Sequence, residues 1–438
     1  MPFQIALSGL DAASTDLEVT GHNIANAATN GFKLSRSEFS DIYASSVQDT
    51  SATAAGRGVK VARIAQQFSQ GTVEFTSNAF DLAVNGEGLF ALKDGSGSLT
   101  YTRAGAYTLD REGYVVNADG KYLQGFPAVE AGGVLSFNTG SLTNLQIPAT
   151  SGEPFATTNV DVGLNLDSGI AGIDTTAAGY LFDRTDPTTF TNSTATTIYD
   201  SLGTPYTSTM YFVKDANNVG SWDVHAYVTD PATGVSAQFL NADTLTFDSS
   251  GGLSAPVGGN ITLTGFTTAF GGGAASSGGE FGVYDAIAGT YDDSLILDFS
   301  TTSQYGTTFA VNDLTQNGYT AGQLSGVDID NKGVVFARFT NGQSEALGQV
   351  ALAKFKNLQG LKQLGNTAWQ DTFSAGDVQL AQAGTSGLGL IQSGALENSN
   401  VDIADQLVNM ITAQRNYQAN AQVISTADTI TQTIINIR

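Results

Sequence analysis

Val401-Asp-Ile-Ala-Asp-Gln-Leu-Val-Asn-Met410, continued by Ile411-Thr-Ala-Gln-Arg-Asn-Tyr-Gln-Ala-Asn-Ala-Gln-Val-Ile424, sets Ile403, Leu407, Met410, Gln414, Tyr417, Ala421 and Ile424 at alternating spacings of three and four. That period puts them on one stripe of an α-helix. Ala427, Ile430, Ile434 and Ile437 then carry a second, shifted stripe, and no Gly or Pro interrupts 398–438. With Asn400 or Ser399 as the expected N-cap, a helix of about 36 residues would rise roughly 50 Å, against an average of about 11–12 residues. At the other end Phe3, Ala6, Leu10, Ala13, Leu17, Thr20 and Ile24 repeat the pattern, predicting an amphipathic helix over 3–27. Two striped helices can bury their stripes on each other or on copies of themselves as a coiled coil, or can cap a β domain of the same chain. The pattern alone allows both.

Moving inward, the period changes to that of strands. Tyr101–Asp110, Gly113–Asn117 and Lys121–Phe126 are β-rich, punctuated by Asp110-Arg-Glu-Gly113 and Asn117-Ala-Asp-Gly120, which are hairpin signals. Asp328–Gly333 and Thr340-Asn-Gly342 bracket Val334–Phe339 in the same way. The resulting expectation is a multidomain, mainly β chain with two nested β domains, barrel- or sandwich-like. An inner domain comprises 76–150 and 300–358, and an outer domain, 151–299, is inserted into it, since insertions are tolerated at exposed turns. Residues 28–75 and 359–397 read as a linking or hinge segment, and 1–27 with 398–438 as a terminal helical domain.

Composition narrows the function. The 438 residues carry 18 Lys+Arg against 41 Asp+Glu, a net charge of −23, which repels phosphate backbones and anionic lipid. No nucleic acid is expected as a partner. Residues 1–75 hold 5 basic and 7 acidic side chains and 398–438 hold 2 and 3, so the acidity lies in the middle and the ends are nearly neutral. The chain has no Cys, which removes disulfides, thiolate nucleophiles and zinc–thiolate sites. The two histidines, His22 and His225, lack any ligand spacing. Asp328-x-Asp330-x-Lys332-Gly333 resembles the start of a calcium loop, but Phe339 stands where a bidentate Glu belongs. No nucleophile elbow or Walker-type loop is present. No catalytic residue, metal or cofactor is therefore expected, nor a cleaved signal or a membrane-inserted span.

Two motifs are more specific. Ala6-Leu-Ser-Gly-Leu-Asp-Ala-Ala13, with Val19-Thr-Gly-His-Asn-Ile-Ala-Asn-Ala27 and Thr29-Asn-Gly-Phe-Lys33, resembles the N-terminal signature of the flagellar rod and hook family of axial proteins. Gly394-Ala-Leu-Glu-Asn-Ser-Asn-Val-Asp402 and Met410–Ile424 resemble that family's other end. The large insert, Asp186-Pro-Thr-Thr-Phe190 and Ile198-Tyr-Asp-Ser-Leu-Gly203 are similar to its hook members. The resemblance implies terminal helices that form an inner coiled-coil layer around a channel, and β domains that project outward. It also implies a homopolymeric tube joining rod to filament as a flexible universal joint. Its implied partners are further copies of the chain, the distal rod protein, the hook cap during assembly, the hook–filament junction protein and the flagellar type III export apparatus. Leu10, Leu17, Ile24, Leu407, Met410, Tyr417 and Ile424 would pack within and between subunits. His22, Asn23, Asn26, Gly31 and Phe32 form the motif at the helix end, where the polar members are expected to satisfy backbone groups. Phe39-Ser-Asp-Ile-Tyr43 looks like the aromatic-x-x-x-hydrophobic element that the export gate reads. The sliding contacts of a bending tube are expected on 151–299. A distal rod or hook-associated subunit, a secreted β-rich adhesin and a hydrolase of extracellular polymer are the competing readings.

Overall fold

Pro2 opens the first helix, α1 (Pro2–Ala25), where its missing N–H costs nothing. The second helix, α2, spans Ile403–Asn436. Its cap is Asp402, whose Oδ1 accepts from the N–H of Ala404 at 2.8 Å. This corrects the expected Asn400 or Ser399 cap. Asn400 is committed elsewhere: its Oδ1 accepts from the Leu34 N–H at 2.7 Å and its Nδ2 donates to the Gln67 carbonyl at 2.8 Å. The computed structural model describes residues 2–42, 56–131, 134–148, 152–265, 279–285, 290–292 and 294–436.

The chain forms two compact units. Unit 1 comprises Met1–Ala149, Ser325–Arg338 and Ser344–Arg438, and unit 2 comprises Thr150–Leu324 with Phe339–Gln343. Besides both helices, unit 1 contains a large antiparallel sheet. Its long strand Ser344–Lys354 pairs along its length with Val334–Phe339, then Tyr122–Ala131, then Leu89–Lys93. The hairpin turns close as their residue types demand: the Gly113 N–H donates to the Asp110 carbonyl and the Gly120 N–H to the Asn117 carbonyl, at 3.2 and 2.9 Å.

Two sequence boundaries need correction. Ser303–Tyr305 and Ala310–Gln316 pair with Asn159–Asp167, so residues 300–324 belong to unit 2 rather than to the inner domain. Within the expected linking segment, Ala368–Gln370 pairs with Leu99–Thr102 and Gln379–Gln382 with Ser344–Lys354, so this part of 359–397 is built into the unit 1 sheet. Only long-range pairing reveals either fact.

Unit 2 joins two sheets around one core. Along Asn159–Asp167, Val160, Val162, Leu164 and Leu166 alternate onto one face, and along Pro205–Lys214, Tyr206, Met210 and Phe212 do the same. These side chains meet Trp222, Leu297 and Phe299 in a single cluster. Trp222 is completely buried, so Trp222→Ala should lower unit 2 stability by about 3–5 kcal/mol. Scanning calorimetry should then show the unit 2 transition falling while that of unit 1 stays in place.

Candidate assembly interface

α1 and α2 pair along a seam of small and polar residues. On α1 the spacing 3-4-3-4-3 selects Ala6, Gly9, Ala13, Asp16, Thr20 and Asn23; Ala6, Ala13, Thr20 and Asn23 are buried. On α2, Gln406 and Ala413 are buried and Met410, Asn420 and Ile424 half-buried. The approach is close, for a Cβ on Gly9 would lie 2.7 Å from Asn420 Oδ1. At one end of the seam Asn23 Nδ2 donates to Gln406 Oε1 at 3.1 Å and to the Ser35 carbonyl at 2.7 Å, and its Oδ1 accepts from the Ser35 N–H at 3.0 Å. A buried amide satisfied this fully fixes register.

Leu10, Leu17 and Ile24 lie at the margin of this seam, half-buried. Leu407 and Tyr417 remain exposed at 47% and 38%, and Ile403, Val408 and Ile411 beside Leu407 are also exposed. The large stripe residues are thus placed around the intrachain seam rather than at its centre. The reason is steric: helices that approach on Gly and Ala leave no room for leucines between them.

After α1, the helix-end motif turns the chain. His22 stands against Phe32, ring centroids 5.4 Å apart, and Asn26 Nδ2 donates to the His22 carbonyl at 2.9 Å. Gly31 has φ +70, and a Cβ there would lie 2.3 Å from the Ala104 backbone nitrogen. Gly31→Ala combines a left-handed backbone with a backbone overlap and should cost about 1–3 kcal/mol. Urea unfolding of the monomer measures it.

The next residues bring together a buried ion cluster. Lys33 Nζ lies 2.6 Å from Glu397 Oε1, and Arg103 Nε lies 2.6 Å from Glu397 Oε2, with all three side chains almost wholly buried. Glu397 Oε1 also accepts from the Gly71 N–H at 3.0 Å. Lys33 Nζ donates to the Ser69 carbonyl at 2.7 Å, and the Arg103 guanidinium donates to the carbonyls of Val84, Gly86 and Gly88. Burial pushes the Glu397 carboxyl up, but Arg103 and then Lys33 outweigh it and hold the group below its ordinary value. Burial pulls the Lys33 ammonium down despite Glu397. The cluster clamps the start of the linking segment, its end and the unit 1 sheet to one point.

Phe39 sits in the strand Ser35–Asp41, opposite Val61 of Val59–Gln66, 42% exposed. Tyr43, the other half of the expected export element, lies outside the described residues. Sequence reading missed Lys33, Arg103, Glu397 and Gln406. Lys33 and Glu397 stand inside the two terminal motifs, and one basic residue in Thr29–Lys33 against an acidic one in Gly394–Asp402 was the available signal.

Comparison with known proteins adds four family matches in chain order. They are Flagella basal body rod protein over 3–33, Flagellar hook protein FlgE/F/G D1 domain over 83–165, Flagellar basal body protein FlaE D2 domain over 165–319 and Flagellar basal body rod FlgEFG protein C-terminal over 392–437. The flagellar hook protein FlgE of Escherichia coli (strain K12) is 36% identical over 441 residues, covering 100% of both chains. The chain belongs to the FlgE flagellar hook protein family. FlgE of Borreliella burgdorferi is 33% identical, covering 99% of this chain and 98% of its own. The crystal structure of Helicobacter pylori flagellar hook protein FlgE2 shares the fold with a TM-score of 0.51 at 15% identity, covering 74% of this chain and 100% of that one. Full-length agreement with FlgE places the hook reading ahead of the rod and adhesin readings, because both ends and the insert match together.

Proposed function

We propose that this chain, as the FlgE-type structural subunit of the extracellular flagellar hook, polymerises into a curved tube that transmits motor torque to the filament. The observation that carries the reading is the unsatisfied apolar face of α2, Leu407, Val408 and Ile411, beside a seam already closed by α1. Exposed apolar patches of this kind mark association surfaces, and contacts between different patches of one chain build open helical filaments. Burial supplies cohesion at about 25 cal/mol per Å² of apolar area before entropy costs. A rotating bent tube also needs contacts that slide, and the Ser/Thr/Asn/Gly-rich unit 2 surface suits weak, wet contacts. The distal rod protein, the hook cap, the hook–filament junction protein and the type III export apparatus are the partners this role requires. Its chemistry is structural rather than catalytic.

The test is negative-stain electron microscopy of a strain lacking the gene beside its parent. Loss of hook and filament with the rod retained is the expected result. Normal hooks in the deletion strain would refute the reading.

A further inference from the structure

Phe373 is fully exposed, yet the turn that carries it is stiff. Thr372 caps the short helix Phe373–Ala375 by accepting from the Ser374 N–H, and its hydroxyl donates to the Gly360 carbonyl. Asn357 Nδ2 donates to the Ser374 carbonyl at 2.9 Å. Ala375, two residues on, is completely buried in the cluster that contains Phe355 and Trp369. An aromatic side chain on a fixed backbone has only its own two torsions left to order on docking, a property that suits an interface anchor. Asp371 and Asp377, both exposed, flank it.

Unit 1 also carries a cavity of about 630 Å³. Phe68, Leu89, Phe355 and Leu358 give it apolar walls, and Lys354 and Lys356 stand at its lining. Four cations, Lys33, Arg103, Lys354 and Lys356, line it with one carboxylate, Glu87, and Lys33 and Arg103 are paired with Glu397, which does not reach the lining. Lys354 pairs with Glu87 at 2.9 Å, while Lys356 has no ion pair among the described residues. In a chain of net charge −23 this is a locally cationic, apolar-walled recess. Its complement is an aromatic side chain between two carboxylates.

Building on the homopolymer reading, we propose that Phe373 of one copy docks in this recess of a neighbouring copy, with Asp371 and Asp377 meeting Lys354 and Lys356. Knob and socket are distinct but adjoining patches of the same unit, meeting at Asn357, which lines the recess and donates to the Ser374 carbonyl; a contact between distinct patches extends into an open helical assembly when its rotation does not close. The knob and the socket wall share one hydrophobic cluster through Ala375 and Phe355, so a copy that is held by its socket presents its knob on a rigid base.

The absence of native cysteine makes the contact directly readable. Two full-length single-cysteine chains that both keep Phe373, Asp377→Cys and Lys356→Cys, are mixed in equal amounts, assembled and mildly oxidised. Disulfide-linked dimers containing one of each are expected, in excess over dimers of either alone. Assembly without mixed dimers, or with Lys356→Cys linked only to itself, overturns the docking. In parallel, Phe373→Ala alters a fully exposed side chain and leaves the monomer folded. Sedimentation should show its critical concentration raised ~10–30-fold, and an unchanged value overturns the proposal while the hook reading stands. Failure of the unaltered chain to assemble under any condition would overturn both.

Discussion

Glu397→Gln should unfold unit 1 or bring it close to unfolding, with a loss of about 3–5 kcal/mol. The substitution keeps the size of the side chain but removes the carboxylate between Lys33 and Arg103, which lie 2.6 Å from its two oxygens. Two cations would then be buried without a counterion. The reverse substitution separates this explanation from simple packing. Lys33→Met leaves a neutral Arg103–Glu397 pair. It strands no acceptor, since the Ser69 carbonyl keeps Asn400 Nδ2 at 3.1 Å and Glu397 Oε1 keeps the Gly71 N–H. A change within about 1 kcal/mol is expected there, because ion pairs removed without leaving an orphan are often neutral. Thermal unfolding of the two variants side by side is the measurement, and equal losses would refute the electrostatic account. The pH dependence follows with its sign. Because folding depresses the Glu397 pKa, its contribution is complete above the ordinary glutamate value of 4.5 and is lost as pH falls through the folded value. Unit 1 of the unaltered protein should therefore lose stability below about pH 4.5, and Glu397→Gln should remove that part of the acid response.

The second large effect concerns assembly alone. Leu407 and Ile411 are about half exposed, one turn apart on the side of α2 away from the α1 seam. Replacing both by Asp should leave monomer stability within about 0.5 kcal/mol, the usual range for surface changes. If copies bury these residues, each Leu or Ile loses about 1.5–3 kcal/mol of burial, so the critical concentration should rise more than a hundredfold. Sedimentation of the double variant against the unaltered chain reads this. Unchanged polymerisation would show that the α2 face stays in water in the hook.

Much of the architecture is legible in local patterns. The two terminal helices follow from their 3/4 spacing, and the hairpins of unit 1 from Asp-x-x-Gly and Asn-x-x-Gly turns whose glycines adopt positive φ. The seam between the helices was half legible: Ala6, Ala13 and Thr20 stand in the expected α1 stripe, but Gly9, Asp16 and Asn23, which complete the seam, each precede a stripe residue by one position and carry no hydrophobic emphasis. Period without side-chain bulk does not attract attention, although it marks where two backbones can approach. The unit boundary near Leu324 was hidden for a different reason: Ser303–Tyr305 joins a strand about 140 residues earlier, and no local feature encodes that partner. The ion cluster joins residues separated by 364 and 294 positions, so composition could count its charges without pairing them.

The clamp at Glu397 also sets a clock. A chain made from its N-terminus presents Lys33 and Arg103 long before their shared anion exists. Unit 1 cannot close until nearly the last tenth of the polypeptide is available. Contacts of such long sequence separation slow folding, since loop closure must precede the gain. Unit 1 is therefore expected to stay open through most of synthesis, whereas unit 2 has all its residues by Gln343. Under the export reading proposed above, in which the subunit travels as an extended thread, this late-arriving carboxylate is a built-in delay.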